Sequence, residues 1–348
     1  MELVHGGDWA GYRARFGRDA LDFSANVSPL GLPQGVADAI VAALPTADRY
    51  PDPLCRELRT ALSRAEQLPE PWILCGNGAA DLIFRIAACL KPRRALAPAP
   101  TFSEYERAVR AFGGTMEAHP LSAENEFILG EDFSASIAPG IELVFLCTPN
   151  NPTGQLIPFQ RICRIAEACQ AQGTFVVLDE CFLGFTGGAS MAGMLQAYPN
   201  LIILSAFTKL YAMAGLRLGY LLAGDPNLCT RIAGFGAPWS VSGPAQAAGC
   251  AALAEVGWEE RSRALIKKER AYLQAELAAL GIRVFKSDAN FLLLQCDAPL
   301  FALLRARGIL VRDCSNFIGL DTRFVRIGVK THAENQMLIN AITEVLHG

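Results

Sequence analysis

Histidine is scarce in this chain, four residues in 348, and none lies near a group of cysteines. A zinc centre needs clustered thiolates and imidazoles, so no metal site is expected. The 11 cysteines include no CxxC pair and no regular spacing, and several, such as Cys147 and Cys181, sit in apolar runs. They read as reduced, buried thiols rather than as a disulfide framework. No run of about 18 apolar residues occurs, which leaves no candidate transmembrane helix. Residues 1–8 show no basic region followed by an apolar stretch, so no secretory signal is expected and the cytoplasm is the default. Net charge is only −3, which gives no electrostatic case for a nucleic-acid partner. Internal repeats and low-complexity tracts are also missing.

What is present describes a compact enzyme. Hydrophobic residues make up 51% and charged residues 19%, and the length suggests about two domains. Residues 1–44 read as an N-terminal arm followed by a helix over 34–44, which Pro45, Pro51 and Pro53 bring to an end. Short apolar strands are expected at 73–75, 95–97, 143–147, 175–178, 201–204 and 219–222, with helices at 79–90, 103–112 and 158–172. Continuous apolar strands alternating with helices predict an α/β domain over 45–243, its mostly parallel sheet covered on both faces. The pattern changes near Pro244. Helix over 245–280, broken at Gly257, precedes strands at 282–285, 290–295, 309–312 and 324–329 and helices at 298–307 and 332–346. This predicts a smaller α+β domain over 244–348, and a cleft between the two domains is the natural site.

The chemistry centres on Lys209. It follows the apolar run 201–204 and the segment Ser205-Ala206-Phe207-Thr208, and Gly215-Leu216-Arg217 comes shortly after. Burial and nearby cations lower a lysine's pKa and make it a nucleophile towards an aldehyde, while Ser205, Thr208 and Arg217 can bind a phosphate. Asp179 ends an apolar strand, where a carboxylate needs a partner; a protonated pyridine nitrogen suits it, although capping of the next loop reads the same way. Gly76-Asn77-Gly78-Ala79-Ala80 opens a helix after a strand, either as a phosphate cradle or as a plain turn. Asn150-Asn151-Pro152-Thr153-Gly154 is a strong turn at a strand's C-terminal edge, where an Asn can also donate to a ligand oxygen. Phe102 can stack on a flat ring or fill the core, and Tyr50 shares that ambiguity. Arg312 and Arg326, each in an apolar strand, suit carboxylate recognition or face outward. Together these are the parts that hold pyridoxal phosphate as a Schiff base for carbanion chemistry on an amino acid.

The ordered set Gly76-Asn77-Gly78, Pro100-Thr101-Phe102, Asn150 to Gly154, Asp179-Glu180, Thr208-Lys209, Gly215-Leu216-Arg217 and Arg326 resembles the fold-type I pyridoxal-phosphate enzymes, in the branch containing the histidinol-phosphate aminotransferases. A closer resemblance, to the threonine-phosphate decarboxylases of cobalamin biosynthesis, rests on several further segments. These are His5-Gly6-Gly7, Leu21 to Asn26 with Ser28-Pro29-Leu30-Gly31, Thr208 to Ala212, Pro238-Trp239-Ser240-Val241, Asp288 to Leu294 and Arg312 to Asn316. The resemblance implies a role for each matched position. Lys209 forms the Schiff base, Asp179 pairs with the pyridine nitrogen, Asn151 bonds the phenolic oxygen and Phe102 stacks on the ring. Gly78, the Ala79 and Ala80 amides, Ser205 or Thr208, and Arg217 hold the cofactor phosphate. Tyr50 reaches the cofactor phosphate of a partner subunit in a homodimer. Arg326 and Arg312 hold substrate anions, and His5, Gly6, Ser24, Asn26 and Asn290 lie near a phosphorylated amino acid substrate.

One position departs from the aminotransferase pattern. Cys181-Phe182 follows Asp179-Glu180 where those enzymes usually carry Ala-Tyr, so the phenolic oxygen loses a donor. The threonine-phosphate decarboxylases tend to have phenylalanine there. The expected reaction is decarboxylation of L-threonine O-3-phosphate. Its rivals are a histidinol-phosphate-type aminotransferase, a serine-phosphate decarboxylase giving ethanolamine phosphate, and a non-catalytic cofactor-binding regulator. The intact Lys209 and the lack of a basic segment argue against the regulator.

Overall fold

The computed structural model describes residues 5–347. Helix α1 (Trp9–Phe16) is capped by the Asp8 carboxylate, which accepts from the Gly11 amide, and it ends on Gly17 in the left-handed conformation. Strand β1 (Leu21–Asp22) then pairs in parallel with residues 309–310, near the other end of the chain. Helices α2 (Gln34–Ala43) and α3 (Arg56–Glu66) lead into the central sheet.

That sheet has seven strands: β2 (Ile73–Gly76), β3 (Arg94–Ala99), β4 (Thr115–Pro120), β5 (Leu143–Cys147), β6 (Phe175–Asp179), β7 (Leu201–Ala206) and β8 (Gly219–Ala223). The order is β2-β8-β7-β6-β5-β3-β4, and only β8 runs against its neighbours. Its strands are apolar at successive positions because both faces are covered. Val144, Leu146, Val176 and Leu178 pack into one layer, and Leu143, Phe145 and Val177 into the other. Helices α4 (Gly78–Leu90), α5 (Glu104–Ala111), α6 (Phe159–Ala171), the short α7 (Phe207–Leu210) and α8 (Pro226–Ala233) connect the strands. Strand β4 (TMEAHP) is absent from the sequence expectation. It lies at the sheet edge and is mostly half-exposed, so it carries no apolar run to betray it.

Helices α9 (Gly243–Ala254) and α10 (Trp258–Ala279) are separated at Gly257, which adopts a left-handed φ of 69°. Strands β9 (Arg283–Val284) and β10 (Phe291–Gln295), helix α11 (Leu300–Ala306), strands β11 (Ile309–Leu310), β12 (Arg312–Asp313) and β13 (Phe324–Gly328), and helix α12 (His332–His347) complete the chain. A four-stranded sheet runs β12-β13-β10-β9. The sequence predicts one strand over 309–312. The structure breaks it at Val311, sending β11 to β1 and β12 to β13. Leu292, Leu294, Val325 and Ile327 share a core with Ile266, Leu273, Leu338 and Ile342 of α10 and α12. Phe23, Phe182 and Leu210 join that core from the segments that border the large sheet's end. No helix among the described residues is long and apolar enough to cross a membrane.

Candidate active site

The C-terminal ends of β5, β6 and β7, the start of α4 and the inner face of the small sheet enclose a cavity of about 460 Å³. Such a position, beyond the carboxyl ends of parallel strands, is where α/β sheets bind ligands. Lys209 enters it from α7 and is half-buried. Burial first, then the neighbouring Arg326 charge, lowers its pKa to about 8. Its Nζ lies 5.9 Å from the centre of the Phe182 ring, so that wall of the site offers no hydroxyl donor.

Asp179 sits at the end of β6, 5% exposed. One carboxylate oxygen accepts from the Tyr105 hydroxyl at 2.7 Å and the other from the Cys181 amide at 3.0 Å. Burial, then the Asp179 charge, pushes the Tyr105 phenol well above its ordinary range, so it stays a donor. Tyr105 escapes sequence reasoning. Its only signal is its place three residues after Phe102 on α5, and its ring lies on Phe145 at 4.8 Å.

The start of α4 is open to the cavity. Asn77 makes no side-chain cap, and Ala79 and Ala80 line the cavity. Gly78 has φ 80°, and a Cβ there would stand 2.7 Å from the Arg217 guanidinium. A Cβ on Gly219 would stand 2.8 Å from the Ala79 nitrogen. Thr208 faces the same space, whereas Ser205 does not. Successive β7 side chains face opposite sides, and Ser205 follows Ile203 into a separate cavity with Glu66, Glu180 and Tyr220.

Arg326, on β13, is 6% exposed. It donates to the Asn151 side-chain oxygen and, at 2.9 Å, to the Ser24 carbonyl. With its amide oxygen turned inward, Asn26 accepts from the same guanidinium at 3.2–3.3 Å. Asn151 therefore has its NH₂ group left for a ligand oxygen. Desolvation lowers the Arg326 pKa to about 10, which leaves it charged at neutral pH. Arg312 stands directly opposite on β12, 7% exposed, with its guanidinium 5.1 Å from the Phe317 ring centre and bonded to Asn316 at 2.8 Å. His5, Gly6 and Ser24 line the cavity, with Phe102 5.8 Å from the His5 ring. Glu104, Arg107 and Phe317 line the cavity too, and no motif signals them.

Besides Ser205, two expected residues lie elsewhere. Asn290 is fully buried before β10, off the cavity wall, and neither of its amide atoms has a partner among the described residues. Tyr50 is 79% exposed and stacks on Trp239 at 4.5 Å, away from this chain's own cavity.

The aminotransferase class I and II model matches residues 18–342. The chain belongs to that family. It is 37% identical over 333 residues to a threonine-phosphate decarboxylase of Salmonella typhimurium, covering 94% of this chain and 92% of that one. A histidinol-phosphate aminotransferase of Symbiobacterium thermophilum is 36% identical over 336 residues, covering 94% and 91%. Among solved structures, L-threonine-O-3-phosphate decarboxylase from Porphyromonas gingivalis superposes with a TM-score of 0.83 at 28% identity, covering 94% and 100%. The fold is that of the fold-type I pyridoxal-phosphate enzymes, and the cofactor of this family member is pyridoxal 5'-phosphate.

The residues fit that group. An uncapped helix start flanked by Gly78 and Arg217 accepts a phosphate, Asp179 matches a pyridinium, and a lysine with lowered pKa stands nearby.

Proposed function

We propose that this enzyme decarboxylates L-threonine O-3-phosphate to (R)-1-amino-2-propanol O-2-phosphate and CO2, as a step of cobalamin biosynthesis in the cytoplasm. The observation that carries this reading is the buried pair Arg312 and Arg326, opposite each other on adjacent strands. Both guanidiniums line the cavity, where each suits an anion. An amino acid that carries both a carboxylate and a phosphate supplies two.

Pyridoxal phosphate supplies an electron sink for the pair released when a bond to Cα breaks. Asp179 would keep its ring nitrogen protonated, Asn151 would donate to its phenolic oxygen and Phe102 would lie against its ring. Ala79, Ala80, Thr208 and Arg217 would hold its phosphate. Arg326 and Arg312 would hold the substrate's anionic groups and by that orientation would select loss of the carboxylate over loss of the α-hydrogen. Once CO2 has left, Lys209 Nζ returns a proton to Cα. In this reading the large domain, residues 45–243, binds the cofactor, the small domain from 244 brings the substrate arginines, and the N-terminal arm lines the site through His5, Gly6 and Ser24. The exposed Tyr50–Trp239 stack supports a homodimer in which Tyr50 reaches the partner's cofactor phosphate.

The Symbiobacterium relative favours a second reading, amino transfer from histidinol phosphate to 2-oxoglutarate. Purified enzyme with pyridoxal phosphate and O-phospho-L-threonine, without a keto acid, separates the two. The proposal expects catalytic release of CO2 and amine, faster than with O-phosphoserine. Amino transfer without CO2 release would reject it. One methyl group distinguishes the two phosphorylated substrates, worth about 1–3 kcal/mol in a pocket, so their rates belong in one experiment.

A further inference from the structure

Two carboxylates line the cleft, Asp179 and Glu104. Asp179 faces the cofactor ring nitrogen in the reading above, whereas Glu104 has no assigned role. A nearly buried carboxylate is costly in a cleft built for an anion, unless it acts through cations. The Glu104 side chain is only 8% exposed, and it accepts from His5 Nε2 at 2.8 Å and lies 3.4 Å from the Arg107 guanidinium. The His5 contact, with help from Arg107, holds its carboxyl below the usual range, so it is charged at neutral pH.

The His5 segment is held at further points. The Gly7 amide donates to Ser24 Oγ at 2.7 Å, and Ser24 Oγ in turn donates to Asp22. Gly6 lies so close to Ser24 that a Cβ would stand 2.5 Å from its carbonyl oxygen. Phe102 bounds the imidazole on another side. The segment is thus tied down along the cavity wall, and Glu104 is its anchor on α5.

We infer that Glu104 is a positioning residue for the substrate's distal phosphate: it fixes the His5 imidazole and the Arg107 guanidinium on the cavity wall, where they add to the hold that the Arg312–Arg326 pair has on that anion. This rests on the reading that the substrate is a phosphorylated amino acid. Glu104 acts through its two partners and touches no reacting atom. Its removal weakens recognition of the phosphate and leaves recognition of the amino acid moiety nearly unchanged.

The test uses holoenzyme and reads ligand binding from the cofactor's absorbance. O-phospho-L-threonine is compared with L-threonine, and histidinol phosphate with histidinol. Glu104→Gln raises the dissociation constant of the phosphorylated ligand about tenfold, the scale of one charge-assisted contact, with less than about a twofold change for its unphosphorylated partner. His5→Gln does the same. The double variant is no weaker than about either single one, because the two residues act as a unit. Equal weakening of both ligands in a pair would overturn the inference, as would additive effects in the double variant. Glu104→Asp, which keeps the charge on a shorter arm, is expected to fall between wild type and Glu104→Gln, and it keeps the test decisive if the Gln variant does not fold. Preference of the wild type for histidinol phosphate would sink the decarboxylase reading. The histidinol pair would then still test Glu104.

Discussion

At the residue scale the decisive quantity is the proton on Lys209. With a pKa near 8, roughly one molecule in ten is neutral at pH 7, against roughly one in three thousand at an ordinary lysine value. Only the neutral amine attacks the cofactor aldehyde. The rate at which apo-protein captures pyridoxal phosphate is therefore expected to climb as pH rises towards 8 and to level off above it. Rapid mixing across a pH series measures this, and a rate flat between about pH 6 and pH 9 would contradict the lowered pKa. Because the Arg326 charge contributes to the lowering, Arg326→Gln should move the midpoint to higher pH. The same scale separates Phe182 from a tyrosine. Its ring packs edge-on against Phe291 at 5.0 Å and gives Lys209 an apolar wall. The identity of residue 182 was legible in the sequence; its packing was not.

At the scale of elements, the proposed phosphate end of the site depends on how α4 starts. Gly78 needs its positive φ, and Arg217, itself at φ 58°, occupies the space a side chain would take. Gly78→Ala should therefore destabilise the fold by roughly 1–2 kcal/mol of backbone strain. It should also displace Arg217 and weaken cofactor affinity about tenfold or more, as measured by equilibrium dialysis. Unchanged affinity would mean that Arg217 does not hold the phosphate. Strands β5, β6 and β7 were legible because burial on both faces demands unbroken apolar runs. Edge strand β4 was not, since its exposed and half-exposed positions tolerate Thr115, Glu117 and Pro120. Nor was the break at Val311, where two different partners compete for one apolar stretch. Ser205 shows the same limit. Its neighbourhood in sequence suggests a phosphate ligand, and the strand's alternation turns it to the far side.

For the whole molecule, Arg326 joins three distant parts: β13, the turn holding Asn151 and the N-terminal segment at Ser24. The contacts across the cleft thus depend on the same group that meets the substrate in the proposed reading. The outer face carries a second clue. Tyr50 and Trp239 stack on each other there and both are exposed. If this face seats a second copy, Tyr50→Ala combined with Trp239→Ser should shift the protein from dimer towards monomer in analytical ultracentrifugation and lower cofactor affinity with it. A variant that stays dimeric with full affinity would remove Tyr50 from the partner's site.

The sequence by itself determined the alternation of elements, the family and the identity of the lysine, aspartate and arginines, because these follow from local periodicity and from ordered motifs along the chain. Tertiary structure alone decided that Arg312 and Arg326 stand opposite each other, that Tyr105 supports Asp179, and that Glu104 anchors His5. Glu104 lies 99 positions from His5, and Asp179 lies 74 from Tyr105. Such pairings depend on strand register and on which helix face turns inward, and no local pattern encodes either.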